Sequence, residues 1–207
     1  GTRSVTLSQR SYYTLIASLP HLPLHFEEVD RTPITRPRLL ERLRLLHPDD
    51  RKVIDQVASF LTWDRQPLDH TDQQVIARYD TLMDTVSNSL VRQVINNRID
   101  VRTIISAIRR RRAGNPPPPG IGQWVDHIRR NWNHPEFNLG GRYPWISDVE
   151  RLIKEGQAGE TQRLLFGVVY KTWSQMAERY TFSFETVILY LARWEIIDRW
   201  TSQDIDT

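Results

Sequence analysis

The chain has 207 residues, with 28 Lys and Arg against 25 Asp and Glu, six His and no Cys, and a chain of this length buries roughly 70% of the surface it exposes when unfolded. Hydrophobic residues make up 39% and charged residues 26%, with seven Trp, seven Tyr and six Phe, which excludes a disordered chain and points to packed aromatic anchors. The absence of Cys excludes disulfides, thiolate nucleophiles and Cys-ligated metal, and a net charge of +3 argues for a polyanion partner only where the cations cluster.

No window approaches the ~18 consecutive apolar residues of a membrane span, and the first thirty residues lack the apolar run of a signal peptide. The expectation is a soluble, cytoplasmic protein. Gly1, standing where an initiator Met would be, is expected to mark a processed or trimmed end, with residues 1–10 a flexible N-terminus and 11–207 a single α-helical domain.

After the opening "YYTLIASLPHLPL", the stretch "ITRPRLLERLRLLHP" spaces Leu39, Leu40, Leu43 and Leu46 as one helix face, with Pro37 tolerable in the first turn and Pro48 closing the segment. "PDDRKVIDQVASFLTW" predicts a second helix through Val53, Ile54, Val57, Phe60 and Leu61, its two aspartates at the positive end of the dipole. "TDQQVIARYDTLMDTVSNSLVRQVI" opens with Thr71 and Gln74 at capping-box spacing. Val75, Ile76, Tyr79, Leu82, Met83, Val86 and Leu90 then hold the 3.6-residue period for more than four turns. Asn96, Asn97 and Asp100 predict a break before a further helix, which carries Val101, Ile104, Ile105 and Ile108 into "RRRRAG".

Gly114 is a C-terminal cap candidate, and residues 114–120 form a proline-rich connector. Beyond it, Trp124, Val125, Ile128 and Trp132 predict a short helix ended by Pro135. "HPEFNLGGRYPWISD" has no period, but Phe137, Leu139, Tyr143 and Trp145 are costly to leave in water, at roughly 1.5–3 kcal/mol for each large apolar side chain. An ordered loop pinned by aromatics is predicted. Two helices follow, "GETQRLLFGVVYKTWSQMAERY" and "FSFETVILYLARWEIIDRWTSQD", the second with Ser183 as N-cap and Glu185 in its first turn. Val187, Tyr190, Leu191, Trp194 and Ile197 line one face of it, and Ile188, Leu189, Ile196 and Trp200 widen that face, so this helix is central to the core or covered by a partner. The fold class is therefore all-α, a bundle of about seven to eight helices, with no alternating strand and no fixed-period repeat.

Chemistry-bearing motifs are few. His21 and His25 are separated from a shared helix face by Pro20 and Pro23. His127 and His134, near Asp126 and Glu136, read as local hydrogen-bonding groups, or less favourably as an enzyme's acid–base set. "GIGQW" follows prolines rather than a strand and lacks the setting of a phosphate loop. The residues call for no catalytic function, cofactor or metal. Clustered charge is the stronger feature: from Arg92 to Arg112 seven arginines face one acid, Asp100, a local charge of +6. Successive helical residues spread around the axis, and cations suit a helix C-terminus, so the run reads first as a helix end. Trp and Arg are enriched at protein interfaces, which makes Arg102, Arg109, Arg110, Arg111, Arg112, Trp145, Trp194 and Trp200 the candidate partner-binding residues. An arginine-rich nucleic-acid-binding protein is the alternative.

Four stretches in order, "YYTLIASLP", "HPEFNLGGRYPWI", "LLFGVVYKTW" and "FSFETVILYLARWEIIDRW", resemble a largely uncharacterised bacterial family associated with vacuolar/archaeal-type (V/A-type) rotary ATPases. Its members look like a shortened counterpart of the stalk subunit named C in bacteria and archaea and d in eukaryotes. The resemblance implies a non-catalytic subunit or accessory protein, related to that subunit's helical funnel, that couples rotor shaft to membrane ring from the cytoplasm. "NNRIDVRTIISAIRRRRAG" resembles the polar-then-apolar helix ending in basic residues that the stalk subunit repeats, with Asp100, Arg102 and Arg109 at matching positions. The chain departs from the full subunit in its shorter length and in lacking the internal helical repeats.

Overall fold

A computed structural model describes residues 7–63 and 72–203. Among these the fold is all-α, with nine α-helices, two 3-10 turns and no strand. The helices are α1 (Leu7–Ser18), α2 (Arg36–Leu43), α3 (Pro48–Trp63), α4 (Asp72–Thr85), α5 (Ser89–Arg112), α6 (Val125–Arg130), α7 (Trp145–Lys154), α8 (Ala158–Ala177) and α9 (Phe184–Gln203). The chain groups into two compact units, residues 1–69 with 170–207, and residues 70–169. The proline-rich connector at 114–120 lies wholly inside the second, and α1 begins within the segment expected to be flexible.

In the first unit α9 packs against α1, α3 and the 3-10 turn Phe26–Glu28, and α1 also meets α2. Its apolar residues explain that central place. Val187, Ile188, Leu189, Leu191, Trp194 and Ile197 are buried at 2% exposure or less, so the helix is enclosed around much of its circumference. Helix α3, which packs on it, buries Ile54, Val57, Phe60 and Leu61, and α2, which meets α1, buries Leu39 and Leu43, with Leu46 just beyond.

Between α1 and α2 the chain runs through Pro20, Pro23 and Pro33, which remove backbone donors but leave carbonyls to be satisfied. Three aromatic side chains of α8 and α9 supply the donors. Tyr190 Oη donates to the Pro20 carbonyl at 2.6 Å, Tyr170 Oη to that of Pro23 at 2.5 Å, and Trp194 Nε1 to that of Ile34 at 2.8 Å. Phe26 is enclosed, edge-on to Trp200 with ring centroids 5.3 Å apart. Arg36 then forks onto Glu195 at 2.9 and 3.1 Å, reaches Asp198 at 3.0 Å and covers the Trp194 ring at 4.6 Å.

The second unit corrects two sequence expectations. The apolar period from Val75 to Leu90 does not form one helix: α4 ends at Thr85 and α5 starts at Ser89. Asn88 makes the break, its Oδ1 accepting from the backbone N–H groups of Leu90 at 3.0 Å and Val91 at 3.1 Å. Arg92 closes the other side by donating to the carbonyls of Met83 and Val86 at 2.6 and 2.9 Å, near the end of α4. The period survives the corner because both helices bury residues on either side of it. Thr71 of the expected capping box lies outside the described residues.

The expected break at Asn96, Asn97 and Asp100 is absent, and α5 runs through it for 24 residues. These polar side chains bond sideways instead of competing with the helix backbone. Asn96 Oδ1 accepts from Tyr79 Oη at 2.7 Å, and Asp100 Oδ2 from Gln123 Nε2 at 2.8 Å. Helix α7 was not predicted, although Ile146, Val149 and Leu152 are buried along it at helical spacing. The strong turn signals of "NLGGRYPW" sit directly against its start and mask it.

Candidate interaction surface

The arginine run ends α5 as its composition predicts. Gly114, at φ +73°, stands at the position after the cap. Its N–H reaches the Arg111 carbonyl at 3.1 Å, and the Asn115 N–H reaches that of Arg110 at 2.9 Å. This is the paired closure that satisfies the last carbonyls of a helix and favours Gly because no Cβ opposes a positive φ. Helix α7 ends in the same way at Gly156, with Gly156 N–H to Ile153 at 3.1 Å and Gln157 N–H to Leu152 at 2.9 Å. Arg112 Nη2 bridges the two ends by donating to the Lys154 carbonyl at 3.4 Å. Two helix C-termini, each with partial negative charge, thus share the cations around them.

The four arginines divide their work. Arg111 points inward: Nη1 donates to the carbonyls of Trp132 at 2.9 Å and His134 at 2.7 Å, and Nη2 binds Glu150 Oε1 at 2.8 Å. The guanidinium also lies 4.0 Å from the centre of the fully buried Phe137 ring. Burial raises the Glu150 pKa and Glu136 adds to the rise, while Arg111 opposes it. Arg110 Nε donates to the Pro116 carbonyl at 2.9 Å, holding the start of the proline segment. Arg109 and Arg112 are exposed.

Phe137 is the centre of a strained turn. Glu136, Phe137 and Asn138 all adopt left-handed backbone, with φ of 52°, 52° and 56°, at roughly 1–2 kcal/mol per non-glycine residue. Side-chain contacts hold it in place. Phe137 stacks on Trp132 at 5.5 Å, Asn138 Nδ2 donates to Asn131 Oδ1 at 2.7 Å, and His127 Nε2 lies 2.8 Å from the Phe137 carbonyl. A carbonyl only accepts, so the His127 proton is placed on Nε2. Where the sequence predicts an ordered loop pinned by aromatics, the structure has this left-handed turn over Pro135–Asn138, and Trp145 already belongs to α7.

The remaining candidates are dispersed. Arg102 lines a shallow groove with Thr103, Ser106, Pro118 and Ile121, with room for about 30 Å³, the scale of one water. Trp145 is half-buried with its ring 5.9 Å from Tyr143, and Tyr143 Oη accepts from Trp124 Nε1 at 2.9 Å. Trp194 is fully enclosed, and Trp200 is half-buried against Phe26. His21, His25 and His134 are exposed, and among the described residues no three His, Asp or Glu side chains group as metal ligands.

Sequence reasoning passed over Arg36, Glu195, Asp198 and Glu150. Arg36 and Glu195 are 159 positions apart, so no local spacing announces the pair. Asp100 is 4% exposed, and its carboxyl pKa is raised by burial against the opposing pull of Gln123 and Arg142. Gly122 lies against this carboxyl at φ +101°, a backbone conformation that favours glycine, and an added Cβ would lie 3.3 Å from Ile99 Cγ2 and 3.4 Å from Asp100 Oδ1.

Among the described residues no helix is long and apolar enough to cross a membrane. No curated protein and no solved structure matches the chain. Residues 53–207, which are 155 of the 207, match DUF2764, described as a protein of unknown function, and the chain belongs to that family.

Proposed function

We propose that the chain is a non-catalytic subunit, or an accessory or assembly protein, of a V/A-type proton- or sodium-translocating ATPase, a stalk C/d-like adaptor meeting shaft and membrane-ring subunits from the cytoplasm. The observation that carries this reading is the likeness of residues 96–114 to the stalk subunit's polar-then-apolar helix with a basic end, here a continuous helix whose tip exposes Arg109 and Arg112. The ordered family-like stretches elsewhere in the chain support it. Arg111 and Arg110 serve the chain's own backbone, and Arg112 does so through Nη2 at 3.4 Å, so exposed Arg109 is the first cation offered to carboxylates of another subunit and Arg112 the second.

Co-purification from the native host in mild detergent tests the reading. Tagged protein is expected to bring down ATPase catalytic, shaft or ring subunits, and Arg109→Ser to weaken recovery while leaving the melting temperature unchanged. Recovery of the tagged chain free of every ATPase subunit sinks the proposal. Binding of duplex DNA with the steep salt dependence of counterion release would favour the nucleic-acid reading instead.

A further inference from the structure

Arg193 on α9 differs from Arg36, Arg92 and Arg111 in what its terminal nitrogens meet. Arg36, Arg92 and Arg111 each direct their terminal nitrogens onto carboxylates or helix-end carbonyls. Arg193 donates through Nε to the Leu189 carbonyl, one turn back, at 3.0 Å. Its two terminal nitrogens make no hydrogen bond or ion pair with any described residue. The side chain is half-buried, and among the described residues neither terminal nitrogen is a sealed, unpartnered one.

An arginine cannot shed its proton to escape such a place, and its planar pair of terminal N–H groups matches the two oxygens of a carboxylate. The surroundings narrow the ligand further. Tyr190 lies one turn before Arg193 on α9 and Tyr170 approaches from α8; burial raises both hydroxyl pKa values, that of Tyr190 to about 12, and Arg193 opposes the rise. Both hydroxyls already donate to the Pro20 and Pro23 carbonyls, so neither has a hydrogen left for a further ligand. One cation between two committed donors suits a monoanion with two oxygens better than a phosphate dianion, which calls for more donors. The adjoining loop carries Leu24, 76% exposed, beside Pro23. An apolar neighbour next to the acid would find a contact there.

We propose that Arg193, beside Tyr170, Tyr190 and the 20–25 loop, is a receptor for a carboxylate presented by a protein partner. The ATPase reading is not needed for this inference, which concerns the isolated chain and is tested on it.

The test follows the arginine side-chain N–H signals by nuclear magnetic resonance while the full chain is titrated with acetyl-Leu-Glu-amide, acetyl-Leu-Gln-amide or inorganic phosphate at constant ionic strength. The expected result is a saturable shift at Arg193 with the Glu peptide, at least ~10-fold weaker with the Gln peptide and with phosphate, and weakened by a similar factor in Arg193→Lys, which keeps the charge but loses the planar pair. The same weak, unsaturated shift at Arg193 and at exposed Arg109 would overturn the proposal, as would tighter binding of phosphate than of the Glu peptide. The wild-type titration decides the matter even if the Lys variant does not fold. A missing carboxylate response leaves the co-purification result untouched, and failed co-purification leaves this titration untouched.

Discussion

The two compact units solve the same problem with different chemistry. Each contains an irregular stretch, residues 19–35 in the first and 131–144 in the second, whose backbone carbonyls need donors. In the first unit neutral aromatic tips supply them: Tyr190, Tyr170 and Trp194, each fixed by its own burial on α8 or α9. In the second a single cation, Arg111, donates to two carbonyls and a carboxylate while lying on Phe137. Neutral donors spread the hold over three residues in the first unit, whereas in the second Arg111 gathers two carbonyls on one cation and His127 takes that of Phe137. A helix-rich fold can therefore keep long irregular segments ordered provided regular elements aim donors at them.

The largest expected effects come from the aromatic anchor of each stretch. Trp194→Ala and Phe137→Ala should each cost about 3–5 kcal/mol in denaturant unfolding, the range for large aromatics removed from a core. Comparable losses would place the two anchors on the same footing. A Phe137 loss below about 1 kcal/mol would mean that relief of the left-handed turn offsets the cavity.

Arg111→Lys sharpens the contrast, because it keeps the charge but cannot serve two carbonyls and Glu150 together. A loss of about 2–3 kcal/mol is expected. Part of it should fade in high salt, since Arg111 and Glu150 are 27% and 30% exposed and their attraction is screened. Tyr170→Phe and Tyr190→Phe should each cost about 1 kcal/mol and show no such salt dependence. Equal salt sensitivity in all three variants would erase the distinction between ionic and neutral clasping.

The smallest effect is expected at Asp100. Its folded pKa lies above the ordinary value near 3.8 because of burial, so the native state holds this proton more tightly than the unfolded chain. Stability from this group is greatest in acid and falls as pH rises from the ordinary to the raised value, then levels off. Asp100→Asn keeps an acceptor for Gln123 and removes the charge. In urea unfolding at a series of pH values, wild type should lose stability relative to the variant across that window and stay level above it. A gain for wild type over the same window would show that Arg142 and Gln123 outweigh burial.

The readable parts of the fold were those with local causes. The stripe Ile54, Val57, Phe60 and Leu61 gave α3, and Pro37 and Pro48 bracketed α2, because period and proline geometry act within a few residues. Gly114 announced the end of α5 for the same reason. The corner at Asn88 was hidden, since buried residues on both sides continue one period, and the polar run at Asn96–Asp100 misled, since its side chains are matched by Tyr79 and Gln123 from elsewhere. At the interaction surface the arginine run was visible. Its division into an inward Arg111 and outward Arg109 and Arg112 was not, because that depends on where Trp132, His134 and Glu150 arrive.

Local sequence by itself determined an all-helical chain, the stop after Arg112 and a terminal helix apolar enough to be central. The tertiary structure alone decided which polar groups are spent. Arg36 with Glu195, Tyr190 with Pro20 and Arg111 with Glu150 are 159, 170 and 39 residues apart. A hydrogen bond acts over about 3 Å of space whatever the separation along the chain, so these pairings, and the terminal nitrogens of Arg193 left without a partner among the described residues, become visible only when the chain is folded.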